Sequence, residues 1–168
     1  AEISLNLGNI DYTITGTVTA NNVDITANNI TNQGNVTASD FIKLNATGNS
    51  GVAGSGNITN GFVSGDNSNV QLAAGTYIDF TAKNNIQNYG TISANTDLTL
   101  SSTFGSINNY NSIIGGNGIT TINALNGSFN NNNQTSVLTA NNNAIFNIQN
   151  LSNNGEISIA NNLTTNIT

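Results

Sequence analysis

The chain contains no cysteine, proline, methionine, tryptophan or histidine, and its only basic residues are Lys43 and Lys83. Each absence closes off some chemistry. Without cysteine there is no disulfide and no thiolate metal site. Without histidine, nucleophilic catalysis of the triad kind lacks its base. Two lysines against eight acidic residues leave a formal net charge of −6. That charge argues against nucleic acid, whose phosphates call for a basic stripe, and gives no polybasic attraction to anionic lipid. No run of 18 apolar residues is present to span a bilayer as a helix. The opening AEISLNLG lacks the charged-then-apolar pattern of a signal peptide. The expectation is therefore an exported protein that has lost its leader, or an internal piece of a longer polypeptide.

What is present is polar, small and repetitive. Asn (38), Thr (22), Gly (17) and Ser (15) make up more than half of the 168 residues. So much Asn with so little charge is also the composition of prion-like disordered tracts, so order has to be argued from periodicity. The clearest stretch is Asn85 to Leu100, NIQNYGTISANTDLTL. Ile86, Asn88, Gly90, Ile92 and Ala94 alternate with polar residues, and after a gap Leu98 and Leu100 resume the alternation. Period two over short runs predicts strands, and no i, i+3, i+4 spacing fits the same residues.

The line recurs, and a fixed period of about 20 residues decides the architecture. Ala1 to Leu7 reads as the tail of a turn. Copies then start at Tyr12, Ile30, Ile58, Ile86, Ile107, Phe129 and Leu151, separated by 18, 28, 28, 21, 22 and 22 residues. A unit of roughly 21 residues thus carries two insertions of about seven. The sequence places one in the Gly-rich stretch Ala46 to Gly56 and the other around Thr76 to Thr81. Short strands interrupted by Gly and Asn at this period predict an all-β parallel β-solenoid of about seven rungs, two of them longer. Residues 1–168 would form a single solenoid segment of a longer repetitive protein. At about 4.8 Å per rung the rod is about 30–35 Å long.

Aligned copies give expected columns. One holds Tyr12, Ile30, Ile58, Ile86, Ile107, Phe129 and Leu151. A second holds Val18, Val36, Val63, Ile92, Ile113, Leu138 and Ile157. A small-residue column holds Ala20, Ala38, Gly65, Ala94, Gly115 and Ala140. In the fifth copy Ile119 is taken as the next inward position. Gly16, Gly34, Gly61, Gly90 and Gly155 mark a recurring bend, where positive φ costs glycine little, and Asn111 stands in for glycine in the fifth copy.

The sharpest polar feature comes two residues after each start: Asn32, Asn60, Asn88, Asn109, Asn131 and Asn153, with Ile14 in the first copy. At rung spacing, amides can donate to the next rung's oxygen and form a ladder that fixes register. Exposed Asn binding sugar is the functional alternative. Tyr89 and Tyr110 share one place in successive rungs and are read as an exposed aromatic stack. A surface pair of this kind stabilises a sheet more often than it docks carbohydrate.

Catalytic groupings are sparse. Asp11, Asp24, Asp40, Asp66, Asp79 and Asp97 are isolated and share no column, though a pair such as Asp66 with Asp79 could meet in space. Neither a phosphate-binding loop nor a Gly-Gly-x-Gly-x-Asp calcium repeat occurs. No cofactor and no metal site is expected. The nine Asn-x-Ser/Thr triplets are about what this composition yields by chance.

The line Ile/Leu-x-Asn-x-Gly-x-Ile-x-Ala-x-x-x-Leu-x-Leu, best seen in ITNQGNVTASDFIKL and IQNYGTISANTDLTL, resembles the shaft repeats of filamentous haemagglutinin-type exoproteins. These are large adhesins and contact-dependent inhibition proteins exported by two-partner secretion. The resemblance covers about residues 12–165. It implies a right-handed parallel β-helix, secretion to the outer surface of a Gram-negative bacterium, and an outer-membrane secretion partner. The family's secretion domain carries Asn-Pro motifs, and this chain has no proline, so it corresponds to shaft. Autotransporter passenger domains share the architecture.

The expected function is a non-catalytic structural segment of a surface fibre or adhesin. Its partners would be the continuation of its own chain or neighbouring copies end to end, and host-cell or matrix glycans and receptors. The alternative is a glycan- or ice-binding solenoid, the latter suggested by Thr13, Thr15, Thr17 and Thr19. An ice-binding Thr array should repeat on every rung, yet the equivalents of Thr17 read Asn35, Thr91, Ser112 and Glu156.

Overall fold

The computed structural model describes all 168 residues, as twenty β-strands and no helix. Every strand pairs in parallel with the strand one turn before or after it, so the chain is a β-solenoid. Seven full turns follow an opening strand, Glu2–Asn6, that stacks on Asn22–Ala27.

A turn has three faces, and the turn beginning at Ile86 shows why. Ile86–Asn88, Thr91–Ala94 and Leu98–Ser102 are its strands. Each alternates buried and partly buried residues in step with the apolar alternation of the sequence, as a pleated strand requires. Asn-Tyr-Gly and Asn-Thr-Asp break the alternation and form the corners. In the last two full turns the third face runs straight into the first: Thr120–Asn131 and Ala144–Asn153 each serve both, with a register shift between Ala124 and Ser128.

Like residues stack on like along the axis. Ile30, Ile58, Ile86, Ile107, Phe129 and Leu151 follow one another on the first face. On the third face Ile25, Leu44, Phe80, Leu100, Ile122 and Phe146 do the same. Thirty-two buried residues form one continuous core. A single turn has no second layer to cover its inner side, so stacking supplies the burial. Phe129 and Phe146 of the sixth turn meet edge to face inside the rod, centroids 5.5 Å apart. On the last turn, Leu151, Leu163 and Ile167 are 42%, 46% and 63% exposed.

Several expected positions are corrected. In the third copy the second-face strand is Gln71–Ala74, with Leu72 between Val36 and Ile92 and Ala74 between Ala38 and Ala94. Val63, expected in that column, is 77% exposed. Gly65 likewise lies outside the small column. The second insertion is therefore the loop from Gly61 to Val70, and Thr76 to Thr81 leads into an ordinary third-face strand, Ile78–Ala82. The first insertion is where the sequence placed it, between Ile42–Ala46 and Ile58–Asn60. Both insertions thus flank one three-residue strand.

In the fifth copy Thr120, not Ile119, points inward and pairs with Leu98. Ile119 is 43% exposed, and its backbone N–H donates to Asp97 Oδ1 at 2.7 Å. A β-branched hydroxyl side chain is accepted inside because the residue facing it is Gly115, where a Cβ would fall on Thr120 Oγ1.

The bend column is also corrected. Of its expected members Gly16 (φ 76°) and Gly61 (φ 104°) take positive φ but Gly34, Gly90 and Gly155 do not, and Asn111, like every other non-glycine residue, keeps negative φ. At Gly34 and Gly90 the requirement is space. A Cβ at Gly34 would land on the backbone of Gly16, and one at Gly90 on the Val70 carbonyl. Val70 occupies the third-turn place in this column, since Thr91 N–H bonds its carbonyl as Gln71 N–H bonds that of Gly34. Gly61 belongs one position earlier, level with Tyr89.

Candidate functional site

Asn32, Asn60, Asn88, Asn109 and Asn131 lie inside the rod, each at most 1% exposed. They sit at the corner where the first face gives way to the second. Period-two alternation puts Asn88 on the same side of its strand as Ile86, so the amide has no route to solvent. Each Nδ2 donates to the Oδ1 of the next turn, at 2.8, 2.8, 2.9, 2.8 and 2.8 Å, and the series ends on Asn153. The second amide hydrogen goes to a backbone carbonyl of the following second-face strand. Asn60 donates to Thr91 O at 3.1 Å, Asn88 to Ser112 O at 2.9 Å and Asn131 to Glu156 O at 3.0 Å.

A side-chain amide has two donors and one oxygen with two lone pairs. Here both donors are used at every buried rung. Asn32 is the first of the series because Ile14 stands above it, and its oxygen instead accepts the Gly34 N–H at 3.2 Å. Asn153, on the last turn, is exposed. A satisfied bond contributes about 0.5–1.5 kcal/mol, whereas an unsatisfied buried partner costs about 1–3 kcal/mol. The ladder therefore penalises any slip in register more than it rewards correct stacking.

A second ladder occupies the corner between third and first faces. Asp11 Oδ1 accepts from Asn29 Nδ2 at 2.8 Å, and Asn29 Oδ1 accepts from the Asn57 backbone at 2.9 Å. Asn57 Oδ1 accepts from Asn85 N–H at 3.1 Å, Asn85 Oδ1 from Ser106 N–H at 2.9 Å, and Ser106 Oγ from Ser128 N–H at 3.0 Å. Its sequence signal is an Asp, Asn or Ser directly before each start. An outer row on the third face runs Ser101, Asn123, Asn147 and Asn166, with bonds of 2.7–3.1 Å.

Tyr89 and Tyr110 stack with centroids 4.5 Å apart and planes 5° from parallel, half-buried at the corner outside the ladder. Partial burial, and then the neighbouring Tyr110, raises the Tyr89 phenol above its ordinary value. A second pair, Phe41 on Tyr77, stacks at 5.1 Å, with Lys43 Nζ 5.1 and 5.5 Å from the two ring centroids. The Tyr77 phenol, then Asp24 and Asp79, holds the Lys43 ammonium above the usual lysine range. Sequence reading missed this cluster because Phe41 and Tyr77 are 36 residues apart, a separation set by both insertions.

Asp66 and Asp79 are not brought together. Asp66 lines a cleft with Gln33 and Phe62 beside the second insertion, while Asp79 faces out from the third face next to Lys43. Hydrogen bonds from Ser68 lower the Asp66 carboxyl. The outward column through Thr17 runs Asn35, Gln71, Thr91, Ser112, Val137 and Glu156, a mixed row with no flat Thr array.

Comparison with protein-family models, with curated proteins and with solved structures finds no match to this chain.

Proposed function

We propose that the chain is a non-catalytic shaft unit of a secreted bacterial surface fibre or adhesin. One observation carries the reading: five consecutive amide-to-amide bonds run along the axis inside the rod. The most distinctive side chains of the repeat are thereby spent on holding turns together, where no ligand can reach them. Such a ladder suits a part whose work is to keep its shape and length. The likeness to filamentous haemagglutinin-type shaft repeats supports the same reading, and with it export through an outer-membrane partner. End-to-end contact with further turns or further copies would extend the rod.

Immunogold electron microscopy of intact producing cells, with antibody raised against the folded chain, tests it. Label on filaments outside the outer membrane is the expected result. Label confined to the cell interior overturns it.

A further inference from the structure

The first insertion folds back on itself and lines an open cleft of ≈ 400 Å³. Gly48, Gly51, Gly54 and Gly56 all take positive φ, which lets the loop turn twice within nine residues. Ser55, 8% exposed, staples its base. Ser55 Oγ accepts from Asn49 N–H at 2.9 Å and donates to the Val52 carbonyl at 2.9 Å. The stem of Lys83, one turn further on, is held between Gly48 and Gly56: a Cβ at Gly48 would meet Lys83 Cδ, and one at Gly56 would meet Lys83 Cβ. The loop and the lysine are built around each other.

Three features of the lining point to one ligand chemistry. Lys83 is the cleft's only charged residue, and no carboxylate lines it. The other lysine of the chain is already taken up by Phe41, Tyr77, Asp24 and Asp79. Phe104, 65% exposed, and Val52, 54% exposed, both line the cleft. Asn49 and Asn84 also line it, with Gly51 and Gly54, whose backbone N–H groups make no hydrogen bond within the chain. An aromatic face for C–H groups, scattered hydroxyl partners and one cation suit a sugar ring bearing a carboxylate. A cleft of this size lies within the range of small-molecule sites.

We infer that this loop cleft is a binding site for an acidic saccharide, with Lys83 receiving the carboxylate and Phe104 stacking on the ring. The site does not depend on the shaft reading and is distinct from the Tyr89–Tyr110 stack.

Amide NMR on the ¹⁵N-labelled chain tests it, with tri-galacturonate and sialyllactose as acidic probes, lactose as the neutral probe and acetate as the bare carboxylate. At least one acidic saccharide should shift Gly51, Gly54 and Asn84 saturably, with about tenfold lower Kd than lactose, a difference of about 1.4 kcal/mol. Acetate should leave them in place. Lys83→Gln, which keeps the carbons lying against Gly48 and Gly56, should bring the acidic probe down to the lactose level, and Lys83→Arg should retain the preference. Phe104→Ala should weaken both saccharides. Equal binding of acidic and neutral probes, shifts with acetate matching those with the saccharides, an unaltered Kd in Lys83→Gln, or no saturable shift with any probe would each overturn the inference.

Discussion

The Nδ2 of Asn88 lies 2.9 Å from the Oδ1 of Asn109, 21 residues later in the chain and one turn further along the rod. Both side chains are buried, and each also bonds a neighbour on its other side. Asn88→Ala should therefore cost about 1–3 kcal/mol, because it leaves the amides of Asn60 and Asn109 each without one partner. Asn95→Ala at an exposed corner should stay within about ±0.5 kcal/mol. Urea melts of the two variants check this, and equal midpoints would show that the ladder contributes nothing to stability.

Thr120→Val should stabilise the fold by about 1 kcal/mol. Thr120 Oγ1 is buried with no hydrogen-bond partner, and valine keeps the shape while removing the unpaired hydroxyl. Gly115→Ala should act in the opposite sense, since its methyl group would overlap that side chain. Thermal melts of the two variants should move apart in sign.

Ile92→Asp should cost several kcal/mol, as a charge placed unpaired in the stacked core, whereas Thr91→Asp on the outer side of the same strand should be mild. Circular dichroism at ordinary temperature should show the first variant largely unfolded and the second folded.

The Tyr89 phenol is held above its ordinary value in the fold, so the folded chain keeps that proton where the unfolded chain releases it. Stability from this group is fully present below about pH 10, the unfolded value, and is lost as pH rises through the folded value. Near-ultraviolet titration should show one tyrosine ionising late, and Tyr89→Phe should remove that late step.

Strand alternation, the seven starts and the internal Asn column were all legible, because a stacked architecture writes the same requirement once per turn. The errors arose where a local pattern imitated a rung. Gly61-Phe-Val63-Ser-Gly65 reads like Gly34-Asn-Val36-Thr-Ala38, yet the chain loops out there and Gln71-Leu-Ala-Ala resumes the column; only pairing with Val36 and Ile92 separates the two. Ile119 stands at the same distance from Ile107 as Leu98 from Ile86, and nothing local announces that Thr120 takes the place beside Leu98 or that Gly115 makes room for its hydroxyl. Glycine at 34 and 90 was legible as a requirement but not as one of close packing between turns. The column of Asn29, Asn57 and Asn85 was hidden by abundance, since with 38 Asn in 168 residues one more aligned position draws little notice.

The bonds between turns lie along the rod, so tension applied to its ends peels one turn from the next. A turn such as Ile86 to Ile107, 21 residues long, occupies about 4.8 Å of the axis but releases about 70 Å of chain when drawn out. Each ladder bond must then break before its successor is loaded. Under a pull the molecule would lengthen in discrete increments, and the two turns with insertions would yield the longest. A rod made this way would stay rigid until overloaded and then give up slack turn by turn.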